Sequence, residues 1–121
     1  MKTFIKNTGK IYKFDATNIP AGRLAAKTAK ILIGKRQINW QANIDLGDKV
    51  IITNLKNIKF TGKKLNQKKY YRTSGYVGGL KSEELKNVFK KTPARVFKKI
   101  VSGMLPNNRL KKYRIRRLII K

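Results

Sequence analysis

The chain has 121 residues, with 31 lysine and arginine residues against 5 aspartate and glutamate residues, which gives a formal net charge of +26. This charge repels itself in a compact protein and indicates a polyanionic partner; because the cations are spread along the entire sequence, nucleic acid fits better than a membrane surface. The absence of cysteine and histidine excludes disulfides, thiolate and imidazole metal sites, and histidine-dependent catalysis.

The composition predicts one folded domain over residues 1–121. Hydrophobic residues make up 40% of the chain, which is too many for a disordered tail. No apolar run approaches the ~18 residues that a spanning helix needs, and we recognise no lipidation signal and no removable presequence. We therefore expect no membrane partner, and we interpret residues 1–10 as an N-terminal extension of the domain.

The first half of the chain predicts a strand, a helix and a second strand. A short strand over 11–16 precedes Pro20, which suits a first helical turn. Apolar residues recur at helical spacing over 22–33, and Gly34 supplies a C-terminal stop. The β-branched run 49–53 is typical of a buried strand. This order of elements indicates a right-handed crossover between two parallel strands.

The segment around the second strand contains features with more than one interpretation. Trp40 is expected to fill the core or an interface. Asp45 and Asp48 are close enough in sequence to form a metal-ligand pair or a pair of acid–base groups. Because Asp and Gly are turn formers, however, we predict that 45–48 is a turn. A further turn is predicted over 54–57, followed by a short strand over 58–60.

The arm 61–81 is rich in lysine, tyrosine and glycine and makes poor core material. Glycine permits positive φ and close approach of the backbone, cations neutralise phosphates, and tyrosine can stack on bases. We therefore expect this arm to bind RNA, although a flexible hairpin end with solvated lysines has the same composition. Residues 75–82 also resemble a P-loop, but Leu80 stands at the position of the second glycine, and no later acidic run could hold magnesium.

The second half predicts three helices and a last strand. Ser82 is expected to cap a helix that runs to Lys90, with Glu83 and Glu84 in its first turn. Thr92 and Pro93 are expected to begin the next helix, which carries an apolar stripe of Val96, Phe97, Ile100, Val101 and Met104. After 103–106, the region 107–121 predicts a basic helix followed by a strand.

The predicted RNA-binding set combines cations with tyrosines and small loop residues. The cations of the first helix lie off its apolar face, where a merely solvated basic surface is an equally good interpretation. The set comprises Arg23, Lys27, Lys63, Lys64, Lys68, Lys69, Tyr70, Tyr71, Arg72, Ser74, Gly75, Tyr76, Gly78, Gly79, Lys81, Arg95, Lys99, Arg109, Lys111, Lys112, Arg114, Arg116 and Arg117.

Several short motifs, taken in order over nearly all of the chain, resemble the ribosomal protein L13 family. They are Asp15-Ala16, Gly22-Arg23-Leu24-Ala25, Asp45-Leu46-Gly47-Asp48, Thr61-Gly62-Lys63, Ser74-Gly75-Tyr76-Val77-Gly78-Gly79-Leu80-Lys81, Pro93 with Arg95-Val96, and Gly103-Met104-Leu105-Pro106. The resemblance implies a three-layer α/β/α domain around a small, mostly parallel four-stranded sheet, with basic loop and helix extensions. It further implies large-subunit rRNA and neighbouring large-subunit ribosomal proteins as partners, an early role in subunit assembly, and neither catalysis, nor a cofactor, nor a small-molecule substrate. The loop 73–81 and the basic helix from Arg109 would face the RNA.

The sequence departs from that family pattern at several positions. Ala42 stands in place of a proline, Tyr12 in place of a tryptophan, and Lys111 in place of a glycine, and the chain ends before a histidine-containing tail that the family carries. Together with the abundance of Lys, Asn and Ile, these departures favour an organellar ribosome. We expect the mitochondrial matrix, with a plastid or a bacterial cytoplasm as alternatives.

Three functions follow from these patterns. The favoured one is a structural rRNA-binding protein. The second is a free-standing DNA or RNA chaperone that binds without regard to structure, and the third is a nucleotide-hydrolysing enzyme that uses residues 75–82. Comparing the affinity for ribosomal RNA with that for unrelated RNA separates the first two.

Overall fold

The computed structural model describes residues 9–38 and 40–121, so the predicted N-terminal extension lies almost entirely outside the described residues. Strands and helices alternate along the first half of the chain. The elements in order are β1 (Ile11–Asp15), α1 (Ala21–Ile33), β2 (Lys49–Thr53), a 3-10 turn (Leu55–Asn57), α2 (Lys64–Gln67), β3 (Lys69–Thr73), β4 (Leu80–Glu84), α3 (Leu85–Lys91), α4 (Pro93–Met104), α5 (Lys111–Arg116) and β5 (Leu118–Ile120).

The central sheet is parallel and has the strand order β1-β2-β5. Ile52 in the middle strand pairs with Phe14 on one side and with Ile120 on the other. The predicted α/β fold with a mostly parallel sheet is confirmed, but this sheet has three strands in the described residues. The strand predicted over 58–60 is reduced to one parallel bridge between Lys59 and Pro20. The 3-10 turn that follows Asn54 (φ 56°) carries the chain out of the sheet before residue 58.

Helices α1 and α4 enclose the core together with the sheet. Leu24 and Leu32 of α1, Val50 of β2 and Phe97 of α4 belong to the same cluster of buried residues. Gly34 ends α1 in the left-handed conformation (φ 85°), as predicted. Pro20 is extended and precedes the helix, so it lies one residue before the first helical turn in which it was expected.

Residues 69–84 form a separate antiparallel hairpin of β3 and β4. The prediction that Ser82 caps a helix with Glu83 and Glu84 in its first turn is wrong, because all three residues belong to β4. The backbone groups of this segment bond across the hairpin instead, and α3 starts only at Leu85, whose N–H donates to the carbonyl of Lys68 at 2.9 Å. We call residues 69–84 the hairpin.

The helix predicted from Pro93 is confirmed, but three expectations near it differ in detail. The Thr92 hydroxyl donates to the Val88 carbonyl of α3 at 3.4 Å and does not cap α4. Met104, at the end of the apolar stripe, is 42% exposed. Trp40 is 37% exposed and lies beside Lys35, whose Nζ is 5.9 Å from the ring centroid, so it does not fill the core.

Within the described residues, every helix is too short or too polar to span a membrane.

Candidate nucleic-acid interface

The tip of the hairpin is a glycine turn that projects from the domain. The Ser74 N–H donates to the Gly79 carbonyl at 3.0 Å, which closes the loop between the two strands. Gly75 (φ 89°) and Gly78 (φ 78°) both have positive φ, a conformation that other residues adopt only with strain. Tyr76, between them, is 83% exposed. The turn therefore presents backbone and an aromatic ring to solvent, as an RNA-binding loop requires.

The register of the hairpin places like charges opposite each other on one face. Arg72 pairs with Lys81, and Tyr70 pairs with Glu83. Since side chains alternate between faces along a strand, these four side chains point to the same side. They line a cleft of about 190 Å³ whose opposite wall is α4. We call this space the hairpin cleft; its polar and aromatic lining consists of Tyr70, Tyr71, Arg72, Lys81, Glu83, Arg95 and Lys99.

The three tyrosines of the hairpin occupy different environments. Tyr70 is half-buried, and the Lys99 Nζ lies 4.2 Å from its ring centroid. Burial raises the pKa of the Tyr70 hydroxyl above its ordinary value. Its ring is therefore engaged by a cation of its own chain. Tyr71 also borders the hairpin cleft but is 62% exposed, and Tyr76 is more exposed still, so these two rings are accessible for stacking on bases.

A second group of predicted cations surrounds the start of α1. Arg23 and Lys64 line an open depression of about 500 Å³ together with Lys59, which the sequence analysis did not select. Lys27, one turn further along α1, has its Nζ 5.0 Å from the centroid of the Phe14 ring. The bridge between residues 20 and 59 brings Lys59 to this place, and only the tertiary structure reveals that proximity.

The third group lies on and before α5. Arg109, Lys112 and Arg116 are exposed, and Lys111 is partly exposed. The side chains of Lys112 and Arg116 lie over the ring of Tyr113, at 5.2 and 5.8 Å from its centroid. These contacts hold two cations on the surface of the helix, where RNA can reach them.

Two cations predicted to contact RNA are instead paired with a carboxylate of the protein itself, and one of them is buried. Arg117 donates to both carboxylate oxygens of Asp45, at 2.7 and 2.6 Å, and to the Leu32 carbonyl at 2.8 Å. Arg114 is 1% exposed, and its Nε lies 3.8 Å from Asp45 Oδ1. Burial lowers the pKa of Arg114, the charge of Asp45 raises it, and Arg117 lowers it further. The structure therefore buries Arg114, and it engages the guanidinium of the partly exposed Arg117 with Asp45 and the Leu32 carbonyl.

The carboxylates of the predicted turn 45–48 have partners within the protein. Asp45 holds the two arginines, and Asp48 accepts the backbone N–H of Lys10 at 3.1 Å. Among the described residues, no group of three or more Asp or Glu side chains could hold a metal ion. The turn predicted over 45–48 lies earlier in the structure, at residues 42–43 with a bend at Ile44, and 45–48 itself contains no turn. This segment joins α1, β2 and the C-terminal segment instead, through the two arginines at Asp45 and through the Asp48 N–H, which donates to the Ile31 carbonyl at 3.2 Å.

Comparison with known proteins gives one consistent family. Residues 9–120 match the family model described as Ribosomal protein L13. The large ribosomal subunit protein uL13 of Lawsonia intracellularis is 46% identical over 122 residues, covering 98% of this chain and 85% of that protein. The uL13 proteins of Kocuria rhizophila and Natranaerobius thermophilus are 41% and 44% identical, covering 91% and 90% of this chain and 78% and 76% of those proteins.

Proposed function

Because this chain belongs to the ribosomal protein L13 family, we propose that it is a structural constituent of the large ribosomal subunit that binds rRNA. In this role it supports subunit assembly and translation and performs no catalysis. The family match over residues 9–120 and the identities of 41–46% to proteins named uL13 support this function. Large-subunit rRNA and adjacent ribosomal proteins are its partners.

The main structural support for RNA binding is that most of the positive charge has no carboxylate partner within the described residues. The chain has 31 lysine and arginine residues, but the ion pairs of the described part involve only Arg114 and Arg117, both with Asp45. The remaining described cations have no carboxylate within ion-pairing distance. Phosphates of RNA supply the missing counter-charge, and binding them releases condensed counterions.

We propose that the three surface groups of cations form the RNA interface. Lysine and arginine side chains contact phosphates, exposed tyrosines stack on bases, and the glycine turn approaches the backbone. The contacting residues are Arg23, Lys27, Lys63, Lys64, Lys68, Lys69, Tyr71, Arg72, Ser74, Gly75, Tyr76, Gly78, Gly79, Lys81, Arg95, Lys99, Arg109, Lys111, Lys112 and Arg116, with Tyr70 at the base of the hairpin cleft.

A filter-binding titration with large-subunit rRNA fragments and with unrelated RNA of equal length tests this function. We expect tighter binding to the ribosomal fragments and an affinity that falls steeply with salt, because each phosphate contact adds roughly 0.7 to 0.9 to the slope of log affinity against log salt. Equal affinity for both RNAs would favour the chaperone alternative. A nearly flat salt dependence would contradict phosphate binding altogether.

The sequence composition also bears on the compartment in which this ribosome works. Composition favours the mitochondrial matrix, but the relatives named above come from bacteria and give that preference no support. We propose the mitochondrial ribosome on composition alone. Fractionation of cells that carry the tagged protein tests it: the protein should sediment with large subunits from purified mitochondria. Recovery with plastid ribosomes, or with ribosomes of a bacterial cytoplasm, would replace this assignment.

A further inference from the structure

The hairpin cleft concentrates cations in two pairs that each place like charges close together. Arg72 and Lys81 are directly opposite each other across the strands. Arg95 and Lys99 are four residues apart on α4, and therefore lie on one face of that helix. Directly opposed like charges destabilise a hairpin, and like charges at this helical spacing destabilise a helix. Both pairs line the same cleft, so the two unfavourable arrangements face each other.

The chain does not neutralise this charge by itself. Glu83 is the carboxylate in the lining of the cleft, which leaves four cations against one anion. Both ion pairs of the described residues are made by Asp45, so Glu83 has no cation within 4.0 Å. The Lys99 ammonium is directed at the Tyr70 ring, which attracts a cation but carries no net charge. An anion inside the cleft would offset both repulsions at once.

The size of the cleft indicates the kind of anion. Its volume of about 190 Å³ lies below the ~300–1,000 Å³ of pockets that hold drug-sized ligands, so it fits one small group. Val88 and Val96 line its apolar part beside the cations. A phosphate that carries a sugar matches this mixture, since the charged oxygens face Arg and Lys while the ribose contacts the apolar residues.

We propose that the hairpin cleft holds a single backbone phosphate of RNA and that this phosphate fastens the hairpin to α4. The inference rests on the proposed function and assigns one defined contact within it. All five residues of β4 are exposed, and Tyr70 is the one residue of β3 that is not. A two-stranded hairpin with so little burial is marginally stable in water. A phosphate bound by cations of both walls joins the hairpin to the helix through charge-assisted hydrogen bonds.

Hydrogen exchange of the hairpin amides in the full chain tests this inference. The measurement compares the free protein with the protein saturated by a large-subunit rRNA fragment, by a single-stranded RNA oligonucleotide, or by inorganic phosphate. The test variant is Arg95→Gln/Lys99→Gln, and a second variant, Arg72→Gln/Lys81→Gln, approaches the cleft from the hairpin side. The matched control is Lys86→Gln/Lys98→Gln, which removes the same charge from exposed positions of α3 and α4 outside the cleft.

We expect both RNAs to slow exchange in the parent and in the control, and to leave the hairpin amides of both cleft variants exchanging as in the free protein. The salt slope of rRNA binding should fall by roughly 0.7 to 0.9 in each cleft variant, the loss of one phosphate contact. Equal hairpin protection in the cleft variants and the control would overturn the inference while rRNA binding by the parent stands. Protection by inorganic phosphate but not by RNA would assign the cleft to a free anion and overturn it as well. Loss of rRNA binding by the parent itself would instead contradict the proposed function.

Discussion

The three aspartates of this basic chain each accept hydrogen bonds within the protein. Asp45 is the anion that the buried Arg114 and the partly buried Arg117 share, and it connects the segment before β2 to the C-terminal end of the chain. A buried ion pair contributes little net stability when complete, but removing one partner leaves the other charge uncompensated. The carboxylate of Asp45 therefore matters more to folding than the sequence around it indicates.

Replacing Asp45 by Asn should lower the free energy of unfolding by about 2–3 kcal/mol. This is less than the ~3–5 kcal/mol for breaking a fully buried pair, because Asp45 is 22% exposed and solvent screens part of the charge. Urea denaturation measures the change. Glu84→Gln removes an equal charge from an exposed strand position, and should change stability by less than ~0.5 kcal/mol. Equal effects of the two substitutions would contradict the interior role of Asp45.

Asp15 provides a pH-dependent contribution. Its carboxylate accepts hydrogen bonds from the hydroxyl and N–H of Thr17 and from the amide of Asn54, and these bonds lower its pKa below the ordinary value of 3.8. A lowered folded-state pKa means that the contribution is present above pH 3.8 and is lost as the pH falls through the folded-state value. The stability difference between the parent and Asp15→Ala should therefore be largest above pH 4 and shrink on acidification. A difference that grows below pH 3.8 would contradict this assignment.

The sequence indicated which residues are cations but not which cations are interior. Arg114, Arg116 and Arg117 lie in one basic run, and nothing local distinguishes them. The partner of Arg117 is 72 residues away, so the ion pair depends on the parallel packing of β5 beside β2. Exposure of Arg116 and burial of Arg114 follow from the orientation of α5 against the core, which is a tertiary property.

At the scale of elements, periodicity predicted the buried helices and strands well, and the surface hairpin poorly. The run 49–53 and the helix from Pro93 have strong apolar patterns and form as expected. The segment 82–84 has the composition of a helix start, but pairing with β3 satisfies its backbone, and a nonlocal hydrogen-bonded ladder outweighs a local cap. The prediction for Trp40 rested on the general tendency of tryptophan to be buried, but this side chain lies on the surface beside Lys35.

The glycine turn of the hairpin supplies the prediction at this scale. Gly78→Val should impair incorporation into large subunits more than Lys98→Ala does. No atom lies within 4 Å of a Cβ placed on Gly78, so the expected harm comes from its positive φ, which costs a β-branched residue about 1–2 kcal/mol and distorts the turn. Competitive reconstitution of subunits with parent and variant protein measures the ratio incorporated. Equal incorporation of both variants would show that the turn geometry is unimportant.

At the scale of the whole molecule, charge and fold make opposite demands. The parallel sheet and two helices bury an apolar core, while the net charge of +26 opposes compaction in the absence of RNA. The sequence predicted both the apolar core and the repulsion among the cations. The family motifs spread over the chain then indicated that rRNA supplies the counter-charge. Neither could locate the hairpin cleft, because its two cation pairs are 14 or more residues apart and meet only when the hairpin lies beside α4.

The conflict predicts opposite effects of salt on stability and on binding. Raising sodium chloride from about 0.01 to 0.15 M shortens the Debye length from ~30 to ~8 Å and screens repulsion among the cations, so the Tm of the free protein should rise. The same change weakens rRNA binding, because bound phosphates lose their counterion-release advantage. Calorimetry of the free protein and titration with an rRNA fragment measure the two trends.

Lys86→Glu/Lys98→Glu lowers the net charge by four and should raise the Tm at low salt while making it less sensitive to salt. A Tm that falls with added salt, in parent and variant alike, would mean that self-repulsion does not limit the stability of this fold.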